Sequence, residues 1–213
     1  MSIIPDKPPF KLLDILYKKE FILFIVLVSI LIINSNISPY FLDLYNLIDS
    51  TFLFSEKAII ALTMTFVIIA RQIDLSVASI IAVSSVVLGY TTSLGYDTWL
   101  VLLLTLLSGT LCGAFNGAII TKFAIPSIIV TIGTMSLFRG LAYSFLEDSY
   151  YNKFPKLVGK LGGGYLYGYI PYAFLTFILL AFVFAFILHK TSIGKKIYSI
   201  GNNPDAAQYT GIA

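Results

Sequence analysis

The sequence predicts an all-α fold: a polytopic membrane helix bundle of about six spans, broken between the second and the third. Three observations carry that reading. Hydrophobic residues make up 58% of the 213 positions and charged residues 12%, with a mean hydropathy of +0.90. A soluble domain has roughly 25% charged residues and about 45–50% apolar ones even with glycine counted. The apolar residues gather into runs suited to a hydrocarbon core about 30 Å thick, and charges, Gly and Pro collect between the runs. Other classes are excluded on the same grounds. The 17 Phe, 14 Tyr and long Ile, Leu and Val runs would collapse a disordered chain, and Cys112 is the one cysteine, too few for a disulfide scaffold. A net charge of +3, scattered along the chain, provides no basic face for nucleic acid. The single histidine, His189 beside Lys190, rules out a multi-histidine metal site and leaves a Ser/His hydrolase only a base at a helix end. Neither metal nor cofactor is expected.

The first apolar run, Phe21 to Ile33, follows a head bearing Lys7, Lys11, Lys18 and Lys19, as in a signal peptide. Asn34-Ser35-Asn36 stands where a small-residue cleavage site would be needed, so the reading is a retained span from about Glu20 to Ile37. Ala58 to Ala70 and Leu75 to Tyr90 flank Arg71-Gln72-Ile73-Asp74. One helix through all of this would run about 50 Å, which predicts two short or broken spans. Trp99 to Ile120 is uninterrupted and closed by Lys122; Pro126 suits the first turn of the next helix, which runs to about Phe145 with Arg139 inside it. Glu147 to Gly168, polar and carrying Gly162-Gly163-Gly164, reads as a loop with a short surface helix, and Ile170 to Leu188 is the sixth span. The domains are therefore an N-terminal segment 1–19, a transmembrane domain 20–188 and a segment 189–213. With the N-terminus inside, nine cations fall on cytoplasmic segments (Lys7, Lys11, Lys18, Lys19, Arg71, Lys122, Lys190, Lys195, Lys196) against four outside (Lys57, Lys153, Lys156, Lys160), which favours a cytoplasmic N-terminus.

Four features could carry function. Gly109, Gly113 and Gly117 repeat every four residues, a stripe on which a neighbouring helix can pack closely. Asn116, one residue off the stripe, reads either as an interhelical hydrogen bond or as a polar group on a transport path. Arg71, Asp74 and Ser76 read either as a cytoplasmic turn, with Arg71 paired to Asp74 and a helix cap supplied, or as a broken helix lining a water-filled cavity. The tail reads as a miniature helix specified at both ends: Asn203 caps it, Pro204 fits its first position, Asp205 suits its positive end, and Gly211 its left-handed terminator. So short a helix needs a surface to dock on, and its small Ala206-Ala207 face would fit a groove.

Three blocks in order across residues 58 to 212 resemble the permease subunits of bacterial monosaccharide importers driven by ATP-binding cassettes, the ribose, xylose, rhamnose and autoinducer-2 group. They are Ala61 to Ile69 with Ile73-Asp74-Leu75-Ser76-Val77; Phe115-Asn116-Gly117 through Ile125-Pro126 to Ile132-Gly133-Thr134-Met135 and Phe138-Arg139-Gly140; and Thr191 to Ile212. The family usually has glycines where Gln72 and Ala78 stand, and it continues with further spans beyond the third block, so the chain resembles the N-terminal part of a permease. The resemblance implies a multi-pass protein of the bacterial inner membrane with no covalent chemistry of its own. It implies a separate ATPase subunit that grips the 203–211 helix as a coupling element, an extracytoplasmic substrate-binding protein, a second permease copy or paralogue, and contact with membrane lipid. Arg71, Asp74, Ser76 and Asn116 would then line the substrate path. An ion-coupled secondary transporter or channel would instead use Arg71, Asp74, Asn116 and Arg139 as an ion path, but the repeats typical of such carriers are not found. A membrane scaffold without transport is the third class.

Overall fold

The computed structural model describes residues 19–147 and 150–212. The lysines at 7, 11 and 18, and with them much of the predicted N-terminal segment, lie outside the described residues. The chain divides into two compact units, residues 1–50 and 51–213.

In the first unit, α1 (Lys19–Ile37) buries none of its residues. Its polar end satisfies itself: Asn34 and Asn36 each donate a side-chain N–H to the carbonyl four residues back, at 2.8 Å. A turn follows in which Asn46 Nδ2 donates to the Tyr40 carbonyl at 3.1 Å, and Asp43 accepts from the Asn46 N–H at the head of the next helix.

That helix, α2 (Leu44–Ile69), corrects the prediction of a short second span. At 26 residues it is about 39 Å long, ample for a bilayer. The polar stretch Ser55-Glu56-Lys57 lowers local hydropathy without breaking the helix: the Ser55 hydroxyl bonds back within it, and Lys57 Nζ donates to the Leu53 carbonyl at 3.4 Å. The helices that follow are α3 (Val77–Ser93), α4 (Thr98–Phe123) and α5 (Ser127–Leu146). Asp97 caps α4, accepting from the Trp99 N–H at 3.0 Å, and Ala124 ends it in the left-handed conformation, φ +52°. The predicted loop after Phe145 holds α6 (Lys156–Gly163) and a minimal hairpin, β1 (Tyr165–Leu166) antiparallel to β2 (Ile170–Pro171). Then come α7 (Tyr172–Lys190), α8 (Ser192–Asn202) and α9 (Pro204–Tyr209). Among the described residues, five helices are long and apolar enough to cross a membrane: α1, α2, α4, α5 and α7. At 17 residues, α3 is shorter.

α3 is the packing centre of the second unit, set against both α4 and α5. The interface is built from small and hydroxyl side chains, with Ser79 fully buried and Ser108 Oγ donating to Ser84 Oγ at 3.4 Å. Between lipid-immersed helices this is the expected currency of association, because burying apolar surface gains nothing over lipid. Phe115 of α4 meets Phe138 of α5 edge-on at 6.2 Å. α2 meets α7 through aromatic edges, Phe66 on Phe184 at 5.1 Å and Phe54 on Phe174 and Phe177 at 6.2 Å. Most large apolar residues stay exposed, a surface made for lipid or for another membrane chain.

Candidate functional site

The chain stops being helical at Ile69 and resumes at Val77, and the interval is fully specified. Arg71 takes φ +57°, the left-handed region. The Arg71 N–H donates to the Ile68 carbonyl at 2.9 Å and the Gln72 N–H to the Val67 carbonyl at 3.0 Å. This pair of bonds is the Schellman termination, normally built on glycine. Arg71 is thus the residue that ends α2. It makes no ion pair with Asp74 among the described residues, which corrects the expected Arg71–Asp74 pairing; the left-handed turn leaves the exposed arginine on its own.

Asp74 is engaged elsewhere. Its Oδ1 accepts the Ser76 N–H at 2.8 Å and the Ser76 hydroxyl at 2.6 Å. The cap expected of Asp74 and Ser76 is therefore not made: Ser76 stands at the cap position of α3 with no side-chain cap bond, and Asp74 instead closes a local turn onto Ser76. The Ser76 hydroxyl in turn accepts from Asn116 Nδ2 of α4 at 2.8 Å. Ser76 is wholly buried and Asn116 is 4% exposed, so this chain of bonds ties the non-helical leg 72–76 to α4 inside packed protein. Asn116 Oδ1 has no partner among the described residues.

Two residues that the sequence reading did not single out complete the site. Ser127 Oγ accepts from the Ile73 N–H at 3.1 Å, and Thr131 Oγ1 donates to the Ile73 carbonyl at 3.3 Å. They stand one turn apart at the head of α5, so one helical face meets both backbone groups of a residue that lies outside any helix. The signal was present as polar residues at i and i+4 after Pro126, but their partner lies 54 and 58 positions away. The need for such a clamp is physical. α3 is about 26 Å long, short of a 30 Å core, and a non-helical stretch such as 72–75 survives at membrane depth only where protein satisfies its backbone.

The tail forms a second assembly. Thr191 caps α8, accepting from the Gly194 N–H at 3.4 Å. Gly194 is buried where a Cβ would overlap the Leu188 carbonyl, so the turn from α7 into α8 requires glycine. Asn203 Oδ1 accepts from the Ala206 N–H at 3.1 Å, Pro204 begins α9, and Asp205 sits in its first turn. Gly211, at φ +81°, closes it with the same pair of bonds as Arg71, Gly211 N–H to Gln208 and Ile212 N–H to Ala207. Ala207 is 4% exposed and anchors α9 on its own chain, which corrects the expected Ala206-Ala207 face; the outward surface includes Asp205, Ala206, Gln208 and Tyr209, the last 93% exposed. The two assemblies touch at Gly201 of α8, buried so closely on the Ile69 carbonyl that no Cβ fits.

Of the glycine stripe, Gly109 faces α3, where a Cβ would lie 3.1 Å from Ser84 Oγ. Gly113 and Gly117 have nothing within 4 Å of such an atom. Their side of α4 is open.

A family model described as branched-chain amino acid transport system / permease component matches residues 46–213. The chain is 34% identical over 193 residues to a ribose import permease protein of Haemophilus influenzae, an alignment covering 89% of this chain and 59% of the relative. It is 34% identical over 154 residues to the autoinducer 2 import system permease protein LsrC of Escherichia coli O9:H4, covering 72% and 45%. It is 31% identical over 204 residues to the corresponding LsrD protein of Klebsiella pneumoniae, covering 91% and 60%. The chain thus spans about half to three fifths of the length of these relatives. No solved structure matches it.

Proposed function

The chain belongs to the branched-chain amino acid transport system / permease component family, and from that premise we propose that it forms membrane pathway in an ATP-driven importer of a small sugar or sugar-like molecule. ATP is hydrolysed on a separate subunit, an extracytoplasmic binding protein delivers the solute, and a second permease copy or paralogue completes the path. The protein lies in the bacterial inner membrane with its N-terminus and the α8–α9 elbow on the cytoplasmic side. The family description names amino acids, whereas the relatives' names are those of ribose and autoinducer 2 permeases. The sugar reading is the better supported. The relatives that carry those names align with 72–91% of the chain.

The observation that carries the mechanism is the seat of Gly201 on the Ile69 carbonyl. α9 presents Ala206 and Tyr209 to the ATPase; closure of the ATPase pair shifts the elbow, and a contact without slack passes the shift to the end of α2. Beyond Ile69 the left-handed turn and non-helical leg form a hinge whose far side is pinned to α5 by Ser127 and Thr131 and to α4 by Asn116. α2 then moves against the α3–α4–α5 group and the path opens or closes. Arg71 and Gln72, both exposed, face the solute, and Asp74, Ser76 and Asn116 hold the leg in place. The test is co-purification with the partner ATPase from native membranes, with hydrolysis measured in the complex. Tyr209→Ala should weaken both about tenfold, as loss of a central aromatic anchor does. Unchanged binding and hydrolysis would remove α9 as the docking element.

A further inference from the structure

Arg139 stands 12 residues beyond Ser127 on α5, about 18 Å along a helix that crosses the membrane. A charge at that depth is costly unless it meets a partner or a watered cavity, and Arg139 has no hydrogen-bonded or ionic partner among the described residues. It does border a cavity. A cleft of about 440 Å³ opens between α3 and α5, toward the end of the bundle away from the break, with Ser85, Tyr143, Tyr150, Tyr151 and Phe154 among its walls. Its volume is that of a small-molecule site. The Tyr151 wall is built in: its ring lies over Gly89 of α3, where a Cβ would come within 2.6 Å of the ring carbons. Gly89 is buried, and its lack of a Cβ makes room for that ring.

We propose that this cleft is a monosaccharide subsite on the extracytoplasmic side of the path, a proposal that rests on the importer reading for its side and ligand class. The chemistry matches a neutral polyol ring. A guanidinium offers up to five N–H donors to hydroxyl oxygens, the Ser85 and tyrosine hydroxyls donate or accept, and aromatic faces cover the C–H face of the ring. A single cation among hydroxyls and aromatic rings binds such a solute weakly enough to let it go, as a path requires.

The test uses Ser85→Cys in a Cys112→Ala background, in right-side-out membrane vesicles carrying the permease with its partner subunits, and a membrane-impermeant maleimide added outside. The thiol should react, and millimolar D-ribose should slow the reaction about fivefold, the factor 1 + [L]/Kd at four times Kd. Arg139→Gln should abolish the protection while leaving the labelling, and Arg139→Lys should keep part of it. Should Arg139→Gln fail to reach the membrane, Gly89→Ala, which displaces Tyr151, should weaken the protection in its place. No reaction from outside, no protection by ribose, protection unaltered by these substitutions, or protection by ribose 5-phosphate alone would each overturn the proposal. Co-purification of the ATPase from the same vesicles separates the two levels: if it persists alongside any of those results only the subsite falls, and if it is lost the importer reading falls too.

Discussion

Asp74 holds the hinge with one oxygen. Asn at that position keeps a carbonyl oxygen able to accept both bonds from Ser76, whereas Leu leaves a backbone N–H and a buried hydroxyl to find other partners. Thermal unfolding in detergent should therefore show Asp74→Asn within about 1 kcal/mol of wild type and Asp74→Leu lower by about 1–3 kcal/mol. Equal loss in the two would mean that the carboxylate charge, and not its acceptor geometry, matters. Arg71 offers a converse test. If its structural task is to terminate α2 at φ +57°, Arg71→Gly removes strain of about 1 kcal/mol and should hold or raise stability, while Arg71→Val should lower it. A marked loss with glycine would reveal a contact made by the guanidinium. The sequence made Asp74, Ser76 and Asn116 visible as polar residues among apolar neighbours. It did not make Ser127 and Thr131 visible as their counterparts, because a Ser or Thr near a helix start has an ordinary local explanation, and the true partner is a backbone group more than fifty residues away.

At the scale of elements, hydropathy located every apolar run but misjudged the length of α2, since Glu56 and Lys57 end an apolar run without ending a helix. α8 was missed for a related reason. Ser192-Ile193-Gly194-Lys195-Lys196 looks like a polar tail, and its glycines, ordinarily helix-weakening, are demanded by close backbone contacts that only the folded chain reveals. α9, by contrast, was legible in full because its caps are local. The tight seat of α8 yields a prediction: Gly201→Ala pushes a methyl into the Ile69 carbonyl and should cost about 1–3 kcal/mol by overpacking, with coupling lost first. Full ATP-driven transport in that variant would deny the contact a role. Gly113 gives the opposite case. With open space around it, Gly113→Leu should leave the fold and melting temperature of the isolated chain unchanged and weaken association with a second permease, read by cross-linking or native mass measurement. A drop in melting temperature with association intact would place the stripe inside the subunit instead.

For the molecule as a whole, the exposed apolar surface and the family match over residues 46–213 converge on a membrane protein, and the moving part proposed for it is the satisfied break between α2 and α3. The break is not a defect in a span. It is a full-length helix ended by a left-handed residue, a non-helical leg bonded to two neighbouring helices, and a shorter helix restarted after the Asp74–Ser76 turn. What drives it in this account is the elbow α8–α9, pressed on the Ile69 carbonyl from the side where an ATPase would bind. That claim is tested most directly by Gln72→Cys in a Cys112→Ala background, labelled from the cytoplasmic side in complexes that hydrolyse ATP. Labelling should change severalfold between nucleotide-free and ATP-bound complexes, and Tyr209→Ala should abolish the change. A rate indifferent to ATP, in a complex that still hydrolyses it, would contradict the account.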